Sequence, residues 1–153
     1  MKKLIAPVIA AGLLAACAPM KRMAPDPTAP TIFPAAPGYL VVNQEPIVVL
    51  RSRFPNREAT ITWRLPPDGN VRFEANGITI DGLVKTSPRE GSRKLREPDT
   101  SQNQFFRCVT RENRLEATCT IAREAKPGVY AYTIRAREGD RSIVVDPTIM
   151  IEE

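Results

Sequence analysis

The chain has 153 residues, with 22 basic and 17 acidic side chains, a net charge of +5, 15 prolines against 8 glycines, and no histidine. That length holds one domain plus accessory segments, and the lack of histidine excludes Ser-His-Asp and Cys-His catalysis, histidine-ligated zinc, copper or haem, and any imidazole acid or base. Short runs of Val, Ile and Thr between turn residues, with no long apolar helical stretch, predict an all-β domain.

In chain order, Lys2 and Lys3 precede an apolar run from Leu4 to Ala16, far shorter than the roughly 20 residues of a membrane span. Residues 1–16 therefore read as a signal peptide. The run ends in Leu14-Ala15-Ala16-Cys17, which resembles the lipobox of bacterial lipoproteins. That resemblance implies cleavage before Cys17 and fatty acylation of its thiol, so the mature chain is anchored in the membrane without spanning it. Ala18, where an Asp would signal retention, resembles lipoproteins sorted to the outer membrane, and implies the periplasmic face of that membrane if the source is Gram-negative. Residues 17–38 follow as the lipidated cysteine and a spacer, because Pro19, Pro25, Pro27, Pro30, Pro34 and Pro37 each fix φ and remove a backbone donor. The expectation is an extended tether without helix or ladder.

The folded domain is expected over residues 39–153. Tyr39 to Val42 and Ile47 to Leu50, interrupted by Pro46, read as an edge strand that proline protects. Ala59, Ile61, Trp63 and Leu65 alternate with Thr60, Thr62 and Arg64, giving a strand with one buried and one wet face. Val71 to Ile80 reads as a hairpin about Asn76-Gly77, a type I′ turn pair that sets Ala75 against Ile78, Phe73 against Ile80 and Arg72 against Asp81.

A second hairpin turns at Asn113-Arg114. It sets Cys108 across from Cys119, Phe106 across from Ile121, Val109 across from Thr118 and Arg111 across from Glu116. In the oxidising compartment implied by the signal peptide, Cys108 and Cys119 form a disulfide. Ten intervening residues do not fit a thioredoxin-like motif, and one cysteine pair is an incomplete zinc site. A third hairpin, from Val129 to about Ile151 around Gly139-Asp140, pairs Ile134 with Val145 and Ala136 with Ile143. Tyr130 and Tyr132 join that apolar face as core aromatics rather than as a ligand-stacking platform.

Seven to nine short antiparallel strands at this spacing predict a β-sandwich with one disulfide inside a hairpin. A strand tryptophan near a core disulfide is similar to immunoglobulin-like domains, although here both cysteines lie in one hairpin rather than in separate sheets. Pro127-Gly128-Val129-Tyr130-Ala131-Tyr132 resembles a strand opening of cupredoxins, whose copper site needs histidines that this chain lacks.

Carboxylates are the remaining catalytic chemistry, with Asp68, Glu74, Asp81, Glu112 and Asp146 as members. They fall at turns, on solvent faces or opposite arginines, where solvated charge explains them. No motif groups them, and no pattern asks for a metal or cofactor. From Lys85 to Asn103 no strand pattern is visible, yet Lys85, Arg89, Arg93, Lys94 and Arg96 cluster there. A connection of that length is a partner-binding loop or solvated surface. Nucleic acid is not the expected partner, since the signal peptide removes the chain from the cytoplasm and the domain from Tyr39 has 18 basic against 16 acidic residues, only +2 net. The expected function is a non-enzymatic one: a lipid-anchored envelope module that binds another protein or a cell-wall component. The alternative is an inhibitor or immunity lipoprotein acting on an envelope-directed hydrolase, with the basic loop as its plug.

Overall fold

A computed structural model describes residues 26–84 and 102–153. The described residues form ten strands and one short 3-10 turn, Arg51–Arg53: β1 (Ile32–Ala36), β2 (Tyr39–Val42), β3 (Ile47–Leu50), β4 (Ala59–Arg64), β5 (Val71–Leu83), β6 (Phe105–Thr110), β7 (Glu116–Ile121), β8 (Gly128–Glu138), β9 (Arg141–Val145) and β10 (Thr148–Glu152). One sheet has the order β4-β7-β6, the other β3-β10-β8-β5 with β9 also on β8, and β1 and β2 make a separate ribbon. The pairing is antiparallel throughout the named strands except for β3 on β10. The predicted β-sandwich is what forms. No described helix is long and apolar enough to cross a membrane.

The alternation read in β4 holds, with Ala59, Ile61, Trp63 and Leu65 buried. Trp63 sits at the centre, where its Nε1–H donates to the Tyr132 hydroxyl at 3.3 Å and the two rings lie 5.4 Å apart. The long third hairpin also forms as read: Ile134 faces Val145 and Ala136 faces Ile143. Gly139 supplies the turn with a φ of 59°, a conformation that costs glycine little. Beyond Val145 the same register resumes, with Ile149 against Tyr130. Pro147 has no N–H to donate, so the arm is divided into β9 and β10, although Pro147 still accepts from the Tyr132 N–H at 3.1 Å. That division is one reason why there are more strands than the seven to nine expected.

The second hairpin carries the expected Cys108–Cys119 disulfide, with Val109 on Thr118 and Arg111 ion-paired to Glu116 at 3.0 Å. Its far end is corrected by one residue. Phe105, not Phe106, faces Ile121, because β6 has a bulge between Phe106 and Val109, where Arg107 adopts a φ of 51°. An extra residue shifts the side-chain alternation, so Phe105 enters the core edge-on to Tyr130, 5.1 Å between centroids. Phe106 is left half-buried under the Arg107 guanidinium.

The hairpin expected at Asn76-Gly77 does not form. β5 is a single strand, with Val71 to Phe73 on Ala136 to Glu138 and Ile78 to Ile80 on Tyr132 to Ile134. Arg72 therefore faces Arg137 rather than Asp81, and Ile78 faces Ile134 rather than Ala75. Residues Glu74 to Gly77 bulge out of the ladder between those two stretches. Neither Asn76 nor Gly77 has the positive φ that a type I′ turn requires. Gly77 serves instead for close approach: a Cβ there would lie 2.8 Å from Phe73 Cβ and 2.9 Å from Thr110 Oγ1. The Gly77 N–H donates to that hydroxyl at 3.0 Å, and the Phe73 N–H donates to the Arg114 carbonyl at 2.8 Å. β5 thus stays on β8 along its length, while these two bonds tie its bulge to the β6–β7 hairpin of the other sheet and close one side of the sandwich.

Residues 28–36, expected to belong to the tether, lie within the fold instead. The Thr62 and Arg64 N–H groups donate to the carbonyls of Thr28 and Pro30 at 2.8 and 3.0 Å, so residues 28–31 lie along the open edge of β4. Proline is tolerated there because it only needs to accept. Asp26 caps this entry by accepting from the Thr28 hydroxyl and N–H at 2.7 and 2.9 Å, and those bonds hold its carboxyl below the usual range. Ile32 is fully buried, and β1 pairs with β2 through Ile32–Val42 and Phe33–Val41. Tyr39–Val42 and Ile47–Leu50 are accordingly two strands in different sheets, not one interrupted edge strand.

Candidate functional site

Cys17 and the basic residues Lys85, Arg89, Arg93, Lys94 and Arg96 lie outside the described residues. The disulfide spans adjacent strands of one sheet, with Cys119 fully buried, as suits a staple. Tyr130 and Tyr132 are core residues, 1% and 0% exposed. Burial raises both phenols above their ordinary value, and the Tyr130 hydroxyl donates to the Lys126 carbonyl at 2.8 Å.

Among the carboxylates, Asp81 and Asp146 converge where the sequence kept them apart. The Thr133 hydroxyl lies 2.7 Å from Asp81 Oδ2 and 3.0 Å from Asp146 Oδ1, and its single proton serves one of them at a time. Glu74 accepts from Ser142 at 3.1 Å, while Asp68 and Glu112 are exposed. Among the described residues no group of three or more His, Cys, Asp or Glu side chains could hold a metal ion.

The most unusual surface is the β1–β2 ribbon. No charged residue occurs from Pro27 to Gln44. Ile32, Leu40 and Val42 turn inward, whereas Phe33, Tyr39 and Val41 are 45%, 57% and 42% exposed. Strand alternation produces this split: Phe33 and Val41 are cross-strand partners, and Tyr39 is two residues from Val41 on the same face. Pro34, Ala35, Ala36 and Pro37 at the tip are exposed as well.

β2 runs beside β9 without joining it. At one end the Gly38 N–H donates to Glu138 Oε2 at 3.2 Å, and at the other the Thr148 N–H donates to Glu45 Oε1 at 2.9 Å. Between those two ties the strands part around a groove of about 500 Å³ lined by Tyr39, Val41, Glu45, Val144 and Asp146 among others. Val144 is 54% exposed on its β9 wall. Among the described strands β9 pairs only with β8, so its outer edge opens on the groove. An apolar patch beside an open strand edge is suited to bind an extended segment of another protein. No family model matches this sequence, and no curated protein is significantly similar to it.

Sequence reasoning read Tyr39 to Val42 as strand but missed its partner β1, because the prolines there suggested a spacer. The usable signals were the uncharged run from Pro27 to Gln44 and the alternation through Leu40 and Val42.

Proposed function

We propose that this chain is a lipid-anchored, non-enzymatic module of the bacterial cell envelope that holds a partner protein on the β1–β2 ribbon and its groove. The observation that carries the reading is the exposure of Phe33, Tyr39, Val41 and Val144 beside the unpaired edge of β9. Solvent exposure of contiguous apolar side chains is unfavourable unless something covers them. The partner chemistry that fits is an extended, largely uncharged segment, whose backbone adds to an open strand edge while its side chains meet the apolar face.

The lipobox-like Leu14-Ala15-Ala16-Cys17 supports the anchor. Only eight residues separate Cys17 from Asp26, a reach of roughly 30 Å when fully extended. The chain enters the domain at the base of the ribbon, where Gln44 Nε2 donates to the Asp26 carbonyl at 2.7 Å. The apolar tip points away from that entry, towards the β8–β9 turn. An anchor at Cys17 would thereby hold the domain near the membrane with the tip of the ribbon directed away from it.

The test is a photoreactive side chain at Tyr39 in the full-length chain in living cells, with Arg123 on the opposite, charged end as the control position. A discrete adduct at Tyr39 that is missing at Arg123 and disappears with Val41→Asp supports the reading. Identical adduct patterns at both positions, or none at Tyr39, overturn it.

A further inference from the structure

We infer that a cleft at the β8–β9 end of the domain, lined by Arg72, Arg114 and Arg137, is a binding site for an oxyanion, namely a carboxylate or phosphate group carried by a small ligand. This goes beyond the ribbon and does not depend on it.

The three arginines are far apart in sequence and line one cleft because β5 pairs with β8 and is tied to the β6–β7 turn through Phe73. Arg72 and Arg137 are direct partners in the β5–β8 ladder, an arrangement that sets like charges side by side on one face and is unfavourable when nothing lies between them. Arg114 arrives from the other sheet. Its residue takes a φ of 56° at the β6–β7 turn, and its carbonyl is fastened by the Phe73 N–H at 2.8 Å.

Each guanidinium is oriented by backbone rather than by an acid. Arg72 Nη1 donates to the Gly69 and Val71 carbonyls at 2.6 and 2.7 Å, Arg137 Nη2 to the Asp140 carbonyl at 3.2 Å, and Arg114 Nη1 to the Phe73 carbonyl at 3.4 Å. A guanidinium has five N–H donors, so most remain available on every one of the three. Among the described residues the ion pairs are Arg64–Glu116, Arg111–Glu116 and Arg123–Glu124, none of which uses these arginines. Glu74, the carboxylate on the cleft wall, is engaged by Ser142 at 3.1 Å.

The cleft has a volume of about 560 Å³, with Asn70 and Gly139 on its rim. That is more than a bare anion fills, and it suits an anionic group on an amino-acid- or sugar-sized body. Arginine forks held in place match the paired oxygens of a carboxylate or phosphate. An anion between Arg72 and Arg137 also removes their mutual repulsion. The ligand class is therefore set by charge and geometry together.

The test uses the purified domain with its disulfide intact, titrated with two probes, inorganic phosphate and N-acetyl-glutamate, and followed by amide NMR. Saturable shifts centred on Arg72, Arg114 and Gly139, weakening as salt rises, are expected with at least one probe. Phosphate alone would assign a phosphate ligand, and the glutamate derivative alone a carboxylate. Arg137→Gln, at an exposed position, should weaken binding at least tenfold, Arg72→Lys less than Arg72→Gln, and Arg123→Gln not at all. If neither probe saturates, or if Arg123→Gln weakens binding as much as Arg137→Gln, the inference is wrong.

Discussion

Replacing Gly77 with alanine tests the feature on which both the closure of the sandwich and the arginine cleft depend. An alanine Cβ would lie 2.8 Å from Phe73 Cβ and 2.9 Å from both Phe73 Cδ1 and Thr110 Oγ1. Real Cβ atoms do not approach so closely, and two of those neighbours are near the backbone of buried or half-buried strand residues. Overpacking of this kind costs about 1–3 kcal/mol, and displacing Thr110 loses the bond from the Gly77 N–H, about 1 kcal/mol more. We expect Gly77→Ala to lower unfolding free energy by about 2–4 kcal/mol in urea titrations. Asn76→Ala, at an exposed position without positive φ, should change it by less than about 0.5 kcal/mol. A type I′ turn would behave differently, since both positions would then carry left-handed strain. The double variant with Thr110→Ala should be non-additive, because the two changes share one contact. A Gly77→Ala cost below about 0.5 kcal/mol, or an Asn76→Ala cost as large as that of Gly77→Ala, would refute the account of β5 as one bulged strand packed on the β6–β7 hairpin.

Three further outcomes follow. Removing the disulfide by Cys108→Ala with Cys119→Ala should cost about 3 kcal/mol by loop entropy, read in the same titrations, and a loss under about 1 kcal/mol would mean the hairpin is ordered without it. Tyr132 has a folded-state pKa raised above its ordinary value of 10.0 by burial, so its contribution is fully present below about pH 10 and is lost above it, as the unfolded chain ionises first. Tyr132→Phe leaves the Trp63 N–H without its acceptor, about 1–3 kcal/mol at neutral pH, but the gap between wild type and variant should narrow at about pH 11; an unchanged gap would count against a buried neutral phenol. Cys17→Ser should move the full-length protein from the membrane to the soluble fraction, and unchanged fractionation would remove the lipid anchor from the proposed function.

The parts of the fold that could be read from the sequence are those in which neighbours along the chain are also neighbours in space. The alternation from Ala59 to Leu65, the Gly139-Asp140 turn with Ile134 on Val145, and the pairing of Cys108 with Cys119 each need only a period of two and a short loop. The same local logic failed at Asn76-Gly77. Its turn preference is worth less than pairing β5 along β8, which buries Phe73, Ile78 and their partners. It failed again at the prolines of residues 28–37, since an edge that only accepts hydrogen bonds does not penalise proline.

Functional surfaces depend on long-range placement even more. The uncharged run that becomes the ribbon is visible in the sequence, but whether it floats or folds depended on the open edge of β4 and on Leu40 and Val42 reaching the core. The Asp81–Thr133–Asp146 contact and the cluster of Arg72, Arg114 and Arg137 have no local signature at all, because their members come from separate strands and turns. By itself the sequence determined the strand class, two of the hairpins, the disulfide and the basis for expecting a lipid anchor. Which strands share a sheet, which apolar residues stay in water and which charges meet were decided only by tertiary packing, because burial acts on the whole chain whereas turn and alternation preferences act on a few residues at a time.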